Sequence, residues 1–163
     1  MTKPWLVAID LQRVFAEPDS PWGAPRFAEA AAAIERLAPA FGERIVRTRW
    51  VAPAEPRGAW VPYFADWPFA LTPPEHPQYD LGPPFHALPG PIETRETFGK
   101  WDAGLAAAID GALEIVLVGV STMNLSRPTT LFVIYEKGSD NGYLLQSSAD
   151  PAWFLRNDGF YAN

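Results

Sequence analysis

Short apolar runs along the chain predict buried β-strands. Residues 113–122, LEIVLVGVST, are mostly aliphatic or β-branched and end in a glycine turn. Residues 5–10 form a shorter run that closes with Asp10, and residues 44–49 form another. A continuous apolar run is typical of a strand covered on both faces, as in a parallel sheet. We therefore expect residues 113–122 to be a central strand of such a sheet.

Helical patterns separate these strands. Residues 25–41 contain four consecutive alanines, and Phe27, Ile34 and Leu37 fall on one face at helical spacing. A shorter helix is expected over residues 102–109. Because strand, helix and strand follow one another as in a βαβ unit, the pattern predicts an α/β protein. We expect a three-layer, Rossmann-like fold with a mostly parallel sheet flanked by helices.

Between residues 50 and 91 the periodicity disappears. This stretch holds eleven prolines together with many aromatic residues. A loop of this length is unusual in a compact domain and is commonly functional. Its aromatic side chains indicate that it packs against the rest of the protein. Two interpretations remain open: a cover over the sheet edge or a subunit interface, and the apolar wall of a ligand pocket.

The region after residue 122 has a different composition. All four asparagines lie there, whereas sixteen of the eighteen prolines lie before it. Residues 130–136 and 143–146 are apolar runs separated by a turn-forming stretch, which predicts strand, turn, strand. We expect residues 1–163 to form a single domain whose segment 123–163 is divergent and atypical.

Composition excludes several classes of function. The net charge of −6 and the pI of about 4.8 argue against a nucleic-acid partner, which favours a basic surface. No apolar run approaches the roughly 20 residues of a membrane span, and no signal-peptide pattern precedes the first strand. The absence of cysteine excludes disulfides, thiolate zinc sites and a cysteine nucleophile. We expect a cytoplasmic protein that binds no membrane.

Two charged residues are candidates for chemistry. Asp10 follows a buried strand, where catalytic acids and bases of α/β folds lie, although it equally suits a solvated turn cap. Lys100 is one of three lysines and stands among aromatic residues, which indicates a partly buried ammonium group. Such a group needs a carboxylate partner, and Asp10 is the obvious one. The two histidines, His76 and His86, have no metal-binding spacing, so we expect neither metal nor cofactor.

Several fragments, taken in order, resemble the isochorismatase-like cysteine hydrolases. They are residues 7–12 (VAIDLQ) with Phe15, residues 47–49 (RTR), residues 98–101 (FGKW), residues 119–122 (GVST), and the loop fragments 58–64 and 67–71. The resemblance runs from about residue 4 to residue 122, and it implies the same α/β fold.

The resemblance also implies an Asp–Lys–Cys triad. Asp10 would take the proton of the thiol, and Lys100 would keep Asp10 ionised and stabilise negative charge. The cysteine would attack an amide or a related carbon to form a covalent intermediate. A cis peptide between Val120 and Ser121 would direct backbone N–H groups toward the oxyanion. Leu125, however, stands where the family has its cysteine.

The resemblance leaves the substrate open. It implies a pocket lined by Phe15, Arg47, Trp50 and Trp101. Arg47 and its neighbour Arg49 would receive a substrate carboxylate, or they would form an exposed ion-paired surface. A small-molecule partner and a homo-oligomer are implied as well.

Three functions are consistent with these residues. One is a hydrolase of the C–N bond or a related bond of a small molecule, inactive here because Leu125 replaces the nucleophile. Ser121 and Ser126 flank that position, and we expect their hydroxyls to bond turn and helix-end N–H groups. The second is a non-catalytic domain that binds a small molecule or another subunit. The third is a truncated or chimeric product without a selected function.

Overall fold

The computed structural model describes residues 3–97, 100, 102–110, 112, 114–121, 129–136 and 143–147. The strands are β1 (Trp5–Ile9), β2 (Ile45–Trp50), β3 (Ile92–Arg95), β4 (Glu114–Ser121), β5 (Thr129–Glu136) and β6 (Tyr143–Ser147). The α-helices are α1 (Arg13–Ala16), α2 (Phe27–Leu37), α3 (Trp60–Asp66) and α4 (Ala103–Ala108). Short 3-10 helices cover Ala38–Ala40, Pro68–Ala70, Pro77–Tyr79 and Phe85–Ala87.

The strands form one sheet in the order β3-β2-β1-β4-β5-β6. Strands β3, β2, β1 and β4 run parallel to one another, whereas β5 pairs antiparallel with both β4 and β6. The predicted α/β class with a mostly parallel sheet is therefore confirmed. The two strands expected after residue 122 are β5 and β6, while the turn between them lies outside the described residues. The assignment of residues 1–163 to a single domain with a divergent tail stays a prediction.

Successive residues of β1 pack on opposite faces of the sheet, which gives the fold its layers. Leu6 belongs to a buried cluster with Ile34 of α2. Val7 belongs to a second buried cluster with Leu105 of α4 and Ile115 of β4. Helices thus cover both faces of the sheet, as the sequence predicts for three layers.

The sequence pattern suggested that β4 ends in a glycine turn, and the structure shows that it does not. It continues through Gly119 to Ser121, and Gly119 pairs with Ile9 of β1. A Cβ atom at Gly119 would lie 2.5 Å from the backbone oxygen of Ile9. Glycine is needed here because β1 passes too close for any side chain.

Helix α2 is shorter than predicted. The α-helix ends at Leu37, and a 3-10 turn continues to Ala40. Pro39 explains the difference, because proline lacks an N–H donor and its ring collides with the carbonyl four residues earlier in an α-helix. Gly42 then adopts a left-handed φ of 57° and leads into β2.

The long proline-rich stretch is more regular than expected. It contains α3 and three of the 3-10 helices. Its rings pack inward, and the ring of Trp22 lies at 5.4 Å from that of Trp50 and 5.0 Å from that of Phe69. Phe64 and Tyr79 are buried in the same cluster. The aromatic side chains therefore act as a cover that extends the hydrophobic core.

Within the described residues, no helix has the length and apolar character needed to cross a membrane.

Candidate active site at the carboxyl end of the sheet

Asp10 stands directly after β1 in an unusual backbone conformation. Its φ is 51°, in the left-handed region that costs most residues about 1 kcal/mol or more and that aspartate tolerates better. Its N–H donates to the hydroxyl of Thr48 at 3.2 Å, and that hydroxyl donates to Asp10 Oδ1 at 2.7 Å. The neighbouring strand β2 thereby fixes both the backbone and the carboxylate of Asp10.

Lys100 completes the carboxylate's surroundings. Its Nζ lies 3.0 Å from Asp10 Oδ2 and donates to the backbone oxygen of Thr97 at 2.9 Å. The side chains of Lys100 and Asp10 are only 5% and 13% exposed. The ion pair predicted from the sequence is therefore formed, and Asp10 is not a solvated turn cap.

Burial controls the protonation of this pair. It raises the pKa of the Asp10 carboxyl above the ordinary 3.8, and the attraction of Lys100 and the hydrogen bond from Thr48 oppose that rise. Burial also lowers the pKa of Lys100, while the attraction of Asp10 opposes this change and repulsion from Arg95 adds to it. Each charge thus depends on its partner, and Asp10 is a stronger base than an exposed aspartate.

Replacement of Thr48 by valine should raise the pKa of Asp10 further. The change removes the hydroxyl that donates to the charged carboxylate, and such a bond contributes about 1.5 to 3 kcal/mol. Carboxyl-carbon NMR titration of Asp10 measures the effect. Thr94→Val is the matched control, since Thr94 is exposed on β3 and does not contact Asp10. An Asp10 titration that is the same in both variants would contradict this assignment.

Gln12 anchors the backbone that surrounds the pair. It is completely buried, its Nε2 donates to the backbone oxygens of Trp50 and Tyr79, each at 2.8 Å, and its Oε1 accepts the N–H of Trp50 at 2.9 Å. One side chain thus links the end of β1, the end of β2 and the turn at Tyr79. These bonds hold β2, and with it Thr48, in place beside Asp10.

The structure contradicts the assignment of Arg47 to a substrate pocket or to an exposed ion-paired surface. Arg47 is only 5% exposed, and its guanidinium donates to the carbonyl oxygens of Phe85, His86 and Gly90. No carboxylate of the described residues pairs with it. Because its two terminal nitrogens donate to three backbone oxygens and the side chain is buried, Arg47 fastens the loop to β2 and does not present its guanidinium to a ligand at the surface.

Phe15 and Trp50 were also expected to line a pocket. This expectation is wrong, because both side chains are buried in the core. They are 6% and 1% exposed and belong to the same core cluster, where each ring contacts other aromatic rings. Apolar rings bury more surface against one another than against a polar pair, which explains their inward packing. Trp101 lies outside the described residues.

The remaining predicted site residues lie at the end of β4. Val120 and Ser121 are its last residues and pair with Thr130 and Thr129 of β5. The cis peptide and the oxyanion role expected for them stay predictions. Leu125 and Ser126 lie outside the described residues.

A groove of about 910 Å³ opens elsewhere on the surface. Its lining includes Arg13, Arg49 and His86, and neither Asp10 nor Lys100 contributes to it. Arg49 Nε donates weakly to Thr94 at 3.3 Å. In the part of the chain that the structure describes, no group of three or more histidine or acidic side chains is placed to hold a metal ion.

Sequence reasoning missed Thr48 and the anchoring role of Gln12. Both occur in the fragments that carried the family resemblance, so the signal was present as residue identity. Each contact joins residues 38 apart in the chain, and no local pattern specifies such a partner.

The fold and the buried carboxylate–ammonium pair define the chain as an α/β protein with a hydrolase-like architecture. The sequence matches no protein-family model and no curated protein. Two solved structures are similar in fold. One is a proposed hydrolase of the isochorismatase family from Chromobacterium violaceum, with 26% identity and a TM-score of 0.50 over 73% of this chain and 57% of that one.

The other similar structure is a cysteine hydrolase from Pseudomonas syringae pv. phaseolicola. It has 16% identity and a TM-score of 0.55 over 74% of this chain and 66% of that one. The chain thus spans less than two thirds of each structure that it resembles. The first comparison supports an isochorismatase-like relationship at low sequence identity, and the second shows a shared fold.

Proposed function

We propose that this protein is an isochorismatase-type hydrolase scaffold that holds an assembled acid–base pair and lacks the nucleophile. The observation that carries the proposal is the buried contact of 3.0 Å between Lys100 Nζ and Asp10 Oδ2 at the carboxyl end of β1. The sequence contains no cysteine to act with this pair. Thiol-dependent hydrolysis is therefore absent in the chain as it stands.

The chemistry of the pair suits a thiol hydrolase. A carboxylate whose pKa is raised by burial accepts the proton of a nearby thiol more readily than an exposed one. The sulfur then attacks the carbonyl carbon of a small amide, the amine leaves with a proton, and water hydrolyses the thioester. Leucine at position 125 has no lone pair for the first bond.

Leu125→Cys tests the proposal without knowledge of the substrate. The variant carries a single thiol, so its alkylation by iodoacetamide reports on that position alone. The proposal expects this thiol to lie beside the Lys100 ammonium, where its pKa should fall. Each unit of decrease raises the rate at pH 7 by about threefold, because more thiolate outweighs its lower nucleophilicity.

Two controls make the alkylation test specific. Ala65→Cys places a thiol at an exposed position of α3 and supplies the reference rate. Lys100→Gln in the Leu125→Cys background should return the rate to that reference. A thiol at position 125 that reacts like the reference and is indifferent to Lys100 would overturn the proposed site.

Hydrolysis itself is the second stage. Leu125→Cys combined with Met123→Asp should release ammonia from a panel of small primary amides, and Asp10→Asn should abolish the release. The unaltered chain should show none. Hydrolysis by the unaltered chain that is lost in Asp10→Asn would refute the missing-nucleophile proposal.

Binding of a small molecule without chemistry is a second candidate, and the same intact ion pair supports it. Compounds that bind should raise the melting temperature of the unaltered chain and not that of Asp10→Asn. We also propose a cytoplasmic location and a homo-oligomeric state, which fit the cysteine-free composition and the family resemblance respectively.

A further inference from the structure

Arg95 joins the end of β3 to the beginning of α4. Its Nη2 donates to Asp102 Oδ1 at 2.7 Å and to Glu93 Oε2 at 2.9 Å. Its Nε lies 2.6 Å from Asp102 Oδ2, as an ion-pair contact rather than a directed hydrogen bond. We refer to Glu93, Arg95 and Asp102 as the clasp.

Both ends of the clasp are fixed to the fold. Arg95 pairs with Trp50 in the sheet, and its backbone oxygen accepts the N–H of Val51 at 3.0 Å. Asp102 is the N-cap of α4, where Oδ1 accepts the N–H of Leu105 at 2.8 Å, and Leu105 is buried in the core. The clasp therefore connects two elements that are each anchored to the fold.

In the sequence, Lys100 lies between Arg95 and Asp102, two positions before Asp102. Its ammonium reaches Asp10 from this connection and also bonds the oxygen of Thr97 within it. An ammonium on a four-carbon stem loses much conformational freedom when it is held in one place. Because the connection that carries Lys100 is already fixed at Arg95 and Asp102, that loss is smaller.

Gly104 is the second observation that marks the clasp as a built feature. A Cβ atom there would lie 2.7 Å from Arg95 Nη2 and 3.2 Å from Asp102 Oδ1. Glycine within a helix is unfavourable relative to alanine. Here it leaves the space that the guanidinium occupies.

We propose that Arg95 is a positioning residue, which holds Lys100 against Asp10 through its contact with Asp102. The inference rests on the proposed function, because the ion pair matters for chemistry only if that site is the functional one. Among the described residues, Asp10 and Arg95 are the charged groups that act on Lys100 electrostatically. The test must therefore separate positioning from simple charge repulsion.

Asp102→Asn makes that separation. Asparagine caps a helix as well as aspartate does, so α4 keeps its N-cap, but the charged contact to Arg95 is lost. If the clasp positions Lys100, the ammonium becomes more solvated, and its pKa rises toward the ordinary 10.5. If Arg95 acts by repulsion alone, its charge is now less compensated, and the pKa of Lys100 falls or stays constant.

Gly104→Ala is a second variant that tests the clasp and keeps the charge of Asp102. Alanine displaces the mobile end of Arg95 and so should open the clasp. Its Cβ atom also crowds the capping oxygen Asp102 Oδ1, and the higher helix propensity of alanine offsets a loss there. The variant should raise the pKa of Lys100 as Asp102→Asn does. Combining the two should add little, because both act on one contact.

The measurement is NMR titration of the intact chain labelled with carbon-13 at the lysine ε position. Three lysines give three signals, and Lys3→Arg and Lys137→Arg assign the remaining one to Lys100. Glu29→Gln is the matched control for Asp102→Asn, since Glu29 forms an ion pair with Arg26 at the solvent-exposed start of α2. A Lys100 titration that is unchanged or lowered in both clasp variants would overturn the inference. The readout involves no hydrolysis, so it can fail or succeed independently of the proposed function.

Discussion

Lys100→Met should lower the free energy of unfolding by about 3 to 5 kcal/mol at pH 7, because it leaves a buried carboxylate without its counter-ion. This loss is a large part of the roughly 5 to 15 kcal/mol that stabilises a domain of ordinary size. Lys3→Met is the matched control, since Lys3 is exposed. Urea denaturation measures both variants.

The effect of Lys100→Met should depend on pH in a defined direction. The folded-state pKa of Asp10 is already above 3.8, and loss of Lys100 raises it further. A raised pKa means that the folded state favours the protonated carboxyl. The contribution of Asp10 to stability is therefore fully present below its pKa in the unfolded chain. It is lost as the pH rises through its pKa in the folded protein. The variant should be closest to the unaltered chain below about pH 4.

A double variant checks the physical reason. Lys100→Met with Asp10→Asn removes both charges, so no unpaired charge remains buried, and part of the lost stability should return at pH 7. A destabilisation that is equal at acidic and neutral pH, with no recovery in the double variant, would mean that lost packing of the lysine stem is responsible.

Gln12→Leu should lower the free energy of unfolding by about 3 kcal/mol or more. The change removes the side-chain amide that bonds the backbone N–H and oxygen of Trp50 and the backbone oxygen of Tyr79. Each buried group left unsatisfied costs about 1 to 3 kcal/mol. Leucine fills the volume, so cavity formation adds little.

Gln78→Leu is the comparison for this prediction. Gln78 also donates to a backbone oxygen and a side chain, those of Phe69 and Thr72, but it is partly exposed, and water can replace its bonds. Urea denaturation gives the stability of both variants, and amide hydrogen exchange at Trp50 reports local opening. A loss in Gln12→Leu no larger than that in Gln78→Leu would show that Gln12 is not an anchor.

Local pattern was sufficient for the elements with strong periodicity. The apolar runs identified β1, β2 and β4 to within a few residues, and one apolar stripe identified α2. It was insufficient for β3, whose four residues alternate only weakly, and for α3, which lies among prolines. Short elements of this kind gain their stability from neighbours that are distant in sequence.

By itself, the sequence determined the α/β class, the position of Asp10 after a buried strand, the pairing of Asp10 with Lys100 and the absence of a thiol. The class, the position of Asp10 and the absence of a thiol follow from residue type and local spacing, because an apolar run must be buried. The pairing follows from residue type alone, because a buried ammonium needs a carboxylate and Asp10 was the candidate. Only the tertiary structure showed that Thr48 and Gln12 hold the site, that Arg47 is bonded to loop carbonyls and that Trp50 is buried in the core. A polar or aromatic side chain has several partners of comparable energy, and the approach of distant segments decides which of them it contacts.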